Sequence, residues 1–139
     1  MEKMEKTAPH ILDEIPPALP PLERACRLIE KTTLLGWVWH SHSDAAGKVQ
    51  EELGEAEEAA VQEDREHLIE ECGDVLFSAI SYVISLGIAP AEALDRANRK
   101  FCGRFNYIEE KMQEKGLPLD GNHVEEESIL WQEAKKAGL

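Results

Sequence analysis

The segment Lys48–Asp74, KVQEELGEAEEAAVQEDREHLIEECGD, decides the fold. Its apolar residues recur at helical spacing, which predicts two helices separated by a short polar turn around Glu63 and Asp64. Because the turn is short, the two helices are predicted to lie side by side and antiparallel. The rest of the fold can be built outward from this pair.

Each helix of the pair carries an apolar stripe with two carboxylates on its flank. The predicted stripes are Val49, Leu53, Ala56 and Ala60 on the first helix, and Leu68, Cys72, Val75, Ala79 and Val83 on the second. The flanking carboxylates are Glu52 with Glu55, and Glu71 with Asp74. If the flanks face each other, like charges roughly 4 Å apart repel by about 4 kcal/mol at an effective dielectric near 20. Divalent cations relieve such repulsion, so the pattern predicts a Mg²⁺ site.

The remaining chain is also predicted to be helical, with no strand, because no useful period-2 alternation is present. We expect an all-α, antiparallel bundle of about four to five helices, completed by oligomerisation. Residues 1–19 are predicted to be a loosely ordered, proline-rich arm, and residues 20–139 one helical domain. The predicted helices run from Pro21 to Leu35, from a Ser43 or Asp44 cap to Gln62, from Asp64 to Leu86, from Pro90 to Lys115, and from an Asn122–Glu125 capping box to Ala137.

The composition fits one helical domain with an acidic surface. The chain has 139 residues, 42% of them apolar, and a net charge of −13. This charge disfavours a nucleic-acid partner, because phosphate backbones attract basic surfaces. The three cysteines lack CxxC spacing, no secretory signal is evident, and the apolar run Val75–Leu86 is too short for a bilayer. We therefore expect a cytoplasmic protein without a membrane partner.

A column of basic residues follows on the fourth predicted helix, with Arg96, Lys100 and Arg104 at i, i+4 and i+8. Like charges at this spacing disfavour a helix slightly unless an anion binds over them. Arginine can grip phosphate oxygens in a fork, and Asn98 nearby offers a polar contact. A solvated basic face paired with surface carboxylates is equally consistent with the spacing.

Two motifs resemble a known family. The run Glu51-Glu52-Leu53-Gly54-Glu55, followed by Glu71-Cys72-Gly73-Asp74, is similar to the EExxE and ExxD signature of MazG-type nucleoside triphosphate pyrophosphohydrolases. The stretch from Ala97 to Phe105 is similar to that family's N-x-K-F-x-R-R-F segment. The likeness extends from about Leu22 to Trp131. It implies a helical fold, Mg²⁺ dependence with Mn²⁺ as an alternative ion, and hydrolysis of ribo- or deoxyribonucleoside triphosphates at the α-phosphate.

The same resemblance assigns expected roles to individual residues. The expected metal ligands are Glu52, Glu55, Glu71 and Asp74, and the expected phosphate contacts are Lys48, Lys100 and Arg104. Trp131 matches a tryptophan near the nucleotide, and Glu51 or Glu52 is the expected general base. Two residues depart from the family pattern. Gly103 stands where an arginine is usual, and His67, which we count among the substrate contacts, stands where a lysine is common.

Two other functions compete with the hydrolase. A redox di-metal protein of the ferritin kind would need two Glu-x-x-His motifs, and the chain has none. A non-catalytic helical dimer that docks a basic partner would need no Mg²⁺. The family assembles as homodimers or larger homo-oligomers, and the apolar run at residues 75–84 agrees with such an assembly. The preferred base remains open at this stage.

Overall fold

A computed structural model describes residues 10–139 of the chain. It contains five α-helices and no strand within this range, which confirms the all-α prediction. The helices are α1 (Pro21–Leu34), α2 (His42–Ala60), α3 (Arg65–Ser85), α4 (Pro90–Glu114) and α5 (Val124–Lys136). Three glycines in left-handed backbone geometry follow α1, α3 and α4, where a side chain would strain the turn; they are Gly36, Gly87 and Gly116.

The predicted N-terminal arm lies partly outside the described residues, which begin at His10. Within the described part, Ile11–Glu14 forms a single 3-10 helix. The side chain of Ile15 is buried, and Glu14 forms an ion pair with Lys31 of α1. The described end of this segment therefore packs on the helical part of the chain.

Two predicted helix starts were wrong. Helix α2 begins earlier than expected, because the Ser41 hydroxyl accepts a hydrogen bond of 3.2 Å from the Asp44 backbone N–H and so caps the helix in place of Ser43 or Asp44. The Asn122–Glu125 capping box does not form. The Asn122 backbone N–H instead donates to the Asp120 carboxylate at 3.1 Å, and α5 begins at Val124 without a side-chain cap.

The chain falls into two compact units, one extending to Pro90 and the other comprising Ala91–Leu139. In the first unit, α3 packs against both α1 and α2, and its contact with α2 is the more extensive. In the second unit, Ile108 and Met112 of α4 form a core cluster with Leu130 of α5. The first unit contains the predicted carboxylates, and the second contains most of the predicted basic residues.

The predicted apolar stripe of α2 was wrong. The buried residues of this helix are Ala45, Glu52 and Ala59, which share one face at i, i+7 and i+14. Leu53, from the predicted stripe, is 48% exposed. On α3 only Ser78 is fully buried, and Cys72 is exposed. Small alanines form the buried face of α2, and they bring Glu52 inside the unit where we had expected it on a flank.

Within residues 10–139, no single helix combines the length and the apolar character that a membrane crossing requires. The consecutive helices α3 and α4 pass such a test only as a pair, on length and composition alone.

Candidate active site

Three carboxylates of the first unit converge at the interface of α2 and α3. One oxygen each from Glu52, Glu55 and Glu71 lies within 4.8 Å of the others. Glu52 and Glu55 lie one turn apart on α2, and Glu71 comes from α3, the helix that packs against it. We call these three residues the acidic cluster.

The acidic cluster contains buried oxygen atoms without partners. Glu52 is only 6% exposed, and the side chain of Glu71 is 15% exposed. The Oε2 atoms of both residues are buried and accept no hydrogen bond. An unsatisfied buried polar group costs about 1–3 kcal/mol, and a charged one costs more. Such atoms are suited to a cation, which would satisfy both at once.

The charges of the acidic cluster oppose one another. The carboxylate of Glu52 is the largest influence raising the pKa of Glu55 above its ordinary value of 4.5, and desolvation and the charge of Glu71 raise this pKa further. A carboxyl group resists ionisation when neighbouring groups are already negative. The arrangement is therefore electrostatically unfavourable unless positive charge is supplied.

Lys48 supplies part of that charge. Its Nζ lies 2.9 Å from Glu52 Oε1 and 3.3 Å from Glu51 Oε1. The hydrogen bond with Glu52 is the largest influence raising the pKa of Lys48. Glu51 is exposed and is not part of the acidic cluster. Lys48 thus neutralises one oxygen of Glu52 and leaves the other without a partner.

The other two residues predicted for this region lie close to the cluster. Asp74 is not one of the three converging carboxylates, but it lines the same cavity as Glu52 and Lys48. His67 Nε2 lies 3.9 Å from Glu71 Oε1, near enough for an ion pair when the imidazole is protonated. The first unit therefore gathers all the predicted residues that belong to it around the acidic cluster.

A cavity of about 910 Å³ extends from the carboxylates between α1, α2 and α3. Its aromatic lining comes from Trp37, Trp39 and Phe77, and we call it the aromatic cavity. The indole N–H of Trp39 donates a 2.8 Å hydrogen bond to the Ser81 hydroxyl of α3. This bond ties the irregular connector between α1 and α2 to the helix that carries Glu71.

Sequence reasoning missed the aromatic cavity. Part of its lining comes from the aromatic connector Gly36–His40, which directly precedes the helix that carries Glu52. That position was the available signal, since binding residues are often found on loops held by a rigid scaffold.

The second unit contains the other predicted contacts, all on α4 and α5. The guanidinium of Arg104 lies over the Trp131 ring, with Cζ 5.1 Å from the centroid, and its Nε donates to the Leu139 carbonyl at 2.9 Å. Phe101 also contacts the Trp131 ring, at 5.9 Å between centroids. The structure therefore brings Arg104 and Trp131 together.

The other residues of the basic column differ from Arg104. Arg96 forms an ion pair with Glu92 at 3.0 Å on the exposed face of α4. Lys100 and Asn98 are exposed, and Lys100 has no ion-pair partner within residues 10–139. Arg96 therefore fits the alternative of a solvated basic residue paired with a surface carboxylate. Lys100, in contrast, is available to bind an anion.

Known proteins match this chain over nearly its whole length. A nucleoside triphosphate pyrophosphohydrolase/pyrophosphatase MazG from Thermotoga maritima is 37% identical over 134 residues, which cover 96% of this chain and 51% of the relative. A nucleoside triphosphate pyrophosphohydrolase from Escherichia coli K12 is 34% identical over 139 residues, covering 97% of this chain and 52% of the relative. The profile of the phosphoribosyl-ATP pyrophosphohydrolase family matches residues 36–101. The chain is thus similar to MazG-type nucleoside triphosphate pyrophosphohydrolases over nearly its whole length.

The chain spans about half the length of these two relatives. A third relative, the uncharacterized protein YabN of Bacillus subtilis, is 37% identical and is covered over 28% of its length. The profile match at residues 36–101 includes the connector, α2 and α3, and hence the entire acidic cluster. Arg104 and Trp131 lie outside that match.

Proposed function

We propose that this chain is a Mg²⁺-dependent nucleoside triphosphate pyrophosphohydrolase that converts ribo- and deoxyribonucleoside triphosphates to the monophosphate and pyrophosphate, as a nucleotide-pool house-cleaning enzyme. The observation that carries the proposal is the acidic cluster, in which two buried carboxylate oxygens lack any partner. The two relatives from Thermotoga maritima and Escherichia coli are named for this reaction, which supports the proposal.

The residues of the cluster fit Mg²⁺. This ion takes oxygen ligands and usually retains water and phosphate oxygens in its coordination shell. Glu52, Glu55 and Glu71 would hold it, with Asp74 as a fourth ligand from the same cavity. Mn²⁺, which also suits carboxylate ligands, would be an alternative. When bound, the ion supplies positive charge that polarises the phosphoryl oxygens.

The chain's own residues would then divide the remaining work. Lys48 lies beside the cluster and would contact the phosphates near the reacting centre, while Lys100 and Arg104 would offset the charge on the β- and γ-phosphates. His67 and Asn98 would be further polar contacts to the substrate. The aromatic cavity would receive the nucleoside, because its volume suits a small molecule and its rings can stack on a base.

The proposed reaction is an attack by water on the α-phosphorus. The bond from this phosphorus to the oxygen bridging the β-phosphate breaks, and pyrophosphate leaves with that oxygen. Glu51 is the better candidate for accepting the water's proton, because it is exposed and stands beside the cluster, whereas Glu52 is one of the converging carboxylates.

We also propose that the chain functions as a homodimer or a larger homo-oligomer. Large apolar side chains of α2 and α3 are about half exposed in the single chain; they are Leu53, Ile69, Leu76 and Phe77. Large apolar side chains left exposed on neighbouring helices suit a surface that another chain covers. Light scattering after size-exclusion chromatography tests this, and a monomeric mass at micromolar concentration would contradict it.

Product analysis tests the proposed function. The protein is incubated with each nucleoside triphosphate and Mg²⁺, and with phosphoribosyl-ATP in a separate arm because of the matched family profile. We expect pyrophosphate and the monophosphate from the triphosphates, and no activity in EDTA. Orthophosphate as the product, or cleavage of phosphoribosyl-ATP alone, would contradict the proposal. If no nucleotide is hydrolysed and Mg²⁺ does not affect the protein, the result would favour the non-catalytic interaction module.

A further inference from the structure

The connector between α1 and α2, residues 35–41, has few backbone hydrogen bonds to hold it in place. Its last backbone link to α1 is the Trp37 N–H, which donates to the Thr32 carbonyl at 2.9 Å. Within residues 10–139, the backbone of residues 38–40 forms no hydrogen bond with another backbone group. The position of this stretch therefore depends on its side chains.

Trp39 provides a side-chain link from this stretch to α3. Its indole N–H donates to the Ser81 hydroxyl at 2.8 Å, and the two residues are 42 positions apart in the sequence. Trp39 is 39% exposed, whereas Trp37 is 82% and Val38 62% exposed, so Trp39 is the most covered of the three. The bond joins an irregular segment to a regular helix and thereby fixes where the connector lies relative to α3.

Ser81 stands on the face of α3 that also carries Asp74. The residues of α3 that line the aromatic cavity recur at helical spacing, and they are Asp74, Phe77, Ser78, Ser81, Ile84 and Ser85. Ser81 lies two turns beyond Asp74, about 10 Å along the axis at a rise of about 1.5 Å per residue. The connector lines the same cavity with residues 37–41. The Trp39–Ser81 bond thus joins two walls of the cavity, two turns away from its carboxylate end.

We propose that Trp39 and Ser81 are positioning residues, whose hydrogen bond holds the connector in place as one wall of the nucleoside site and so raises the affinity for the nucleotide. This inference rests on the proposed function, since it takes the aromatic cavity to be the nucleoside site. When a binding wall is in place for only part of the time, the apparent affinity falls by that fraction. The bond acts on binding and not on the reacting phosphate, because the acidic cluster is formed by other residues of α2 and α3.

Ser81→Ala tests the proposal, because it removes the acceptor and leaves the Trp39 ring in place. Binding of α,β-methylene-ATP with Mg²⁺ is measured by calorimetry, since this analogue resists cleavage of the α–β bond. The variant is expected to bind it about three- to tenfold more weakly, which is the typical net effect of one hydrogen bond on an equilibrium constant. The kcat with ATP and the affinity for Mg²⁺ alone should change by less than about twofold, because only uniform binding of the nucleotide is lost.

Further variants separate the bond from general effects of substitution. Ser81→Thr keeps a hydroxyl and should retain the affinity of the unaltered protein. Trp39→Phe keeps a ring and removes the indole N–H. Combined with Ser81→Ala, it should weaken binding no more than it does alone, since both changes remove the same bond. Ser43→Ala is the matched control, because Ser43 is exposed and does not line the cavity, and it should bind the analogue as the unaltered protein does.

Three results would overturn the inference. They are an unchanged dissociation constant in Ser81→Ala, losses that add in the double variant, and an equal loss in Ser43→Ala. A variant that is merely less stable would show fewer binding sites per molecule at the same dissociation constant, and this outcome also contradicts a positioning role.

The two proposals fail separately in these experiments. Weaker analogue binding by Ser81→Ala, without release of pyrophosphate from ATP by the unaltered protein, would overturn the proposed reaction and leave the positioning role standing. Release of pyrophosphate from ATP, together with equal analogue binding by both proteins, would overturn the positioning role and leave the reaction standing. If the unaltered protein released pyrophosphate but did not bind the analogue, the positioning role would likewise be overturned.

Discussion

The acidic cluster of the first unit and the basic face of α4 in the second are built in opposite ways. Oxygens of three glutamates converge within 4.8 Å, and one oxygen each of Glu52 and Glu71 is buried without a partner. On α4, Arg96 pairs with Glu92 and Arg99 with Asp95, each one turn along the helix. Concentrated like charge costs free energy unless a ligand binds, whereas pairs at i, i+4 are stable by themselves.

This contrast shows which part of the charge pattern carries functional information. A run of glutamates or arginines in a sequence is usually a solvated helix face. Burial of Glu52 and its unpaired oxygen separate the acidic cluster from that background. On the basic face, only Lys100 and Arg104 depart from simple pairing along the helix.

The largest effect is expected from Glu52→Gln. It removes a charge from the acidic cluster but retains the size of the side chain. Removing even a residue that only hydrogen-bonds to a metal ligand lowers metal affinity or activity by about 10- to 100-fold. Loss of a ligand itself should therefore lower kcat/KM with Mg²⁺ by more than about 100-fold. The matched control is Glu58→Gln on the exposed part of the same helix, which should stay within about twofold of the unaltered protein. Similar losses in both variants would remove the distinction between cluster and surface.

The basic face can be divided in the same way. Arg104→Ala should lower kcat/KM by about 10- to 100-fold, because a hydrogen bond to a charged group contributes about 1.5–3 kcal/mol. Arg96→Ala should change it by less than about twofold, because Arg96 is paired with Glu92 on an exposed surface. Steady-state kinetics with one nucleoside triphosphate checks both. If Arg96→Ala lowered kcat/KM by more than about twofold, an ion pair along the helix would not be a sign that a basic residue lacks a role in the reaction.

The electrostatics of the acidic cluster predict a pH dependence. The pKa of Glu55 is raised in the folded protein, chiefly by the charge of Glu52, so the folded state binds a proton more readily than the unfolded state. Stability of the metal-free protein should therefore fall as pH rises from the ordinary value of 4.5 through the raised pKa. Mg²⁺ should weaken or reverse this trend, because it competes with protons for the carboxylate.

Calorimetric melting in EDTA and in Mg²⁺, over a pH series, measures this dependence. Glu55→Gln is the comparison that isolates the residue from the many other acidic groups. In the metal-free Glu55→Gln protein, stability should decrease less as the pH rises. An identical pH profile in both proteins would show that repulsion within the acidic cluster does not reach Glu55.

The smallest effect is expected at Gly73, which neighbours the cluster in sequence. Gly73 and Asp74 are both poor helix formers, but α3 runs through them without interruption, and a Cβ at Gly73 would meet nothing within 4 Å. Gly73→Ala should therefore raise the free energy of unfolding by up to about 1 kcal/mol. Chemical denaturation measures this. A fall in stability would show that the glycine is needed.

The helices could be predicted because local signals and tertiary structure agree on them. Pro21 and Pro90 open two helices, and Gly87 and Gly116 lie beyond the ends of two, as their backbone preferences require. The wrong predictions concern choices between nearby residues of the same chemical type. Ser41 caps α2 in preference to Ser43, which carries the same hydroxyl.

The candidate site was predictable only in part. The spacing of the glutamates indicated that two helices could bring carboxylates together, but hydrophobicity pointed to Leu53 as the buried residue of α2. Close packing selected the small residues Ala45 and Ala59, and with them Glu52. The aromatic cavity was not predicted because irregular connectors such as Gly36–His40 have no periodicity that indicates which way their side chains point.

Titration of the metal-free protein with Mg²⁺ by calorimetry tests the central claim most directly. Glu71→Gln alters a cluster residue on α3, and Glu70→Gln alters its exposed neighbour. We predict saturable Mg²⁺ binding to the unaltered protein and to the Glu70 variant, and at least about tenfold weaker binding to the Glu71 variant. Equal Mg²⁺ binding by all three proteins, or none by any of them, would contradict the assignment of the acidic cluster as a cation site.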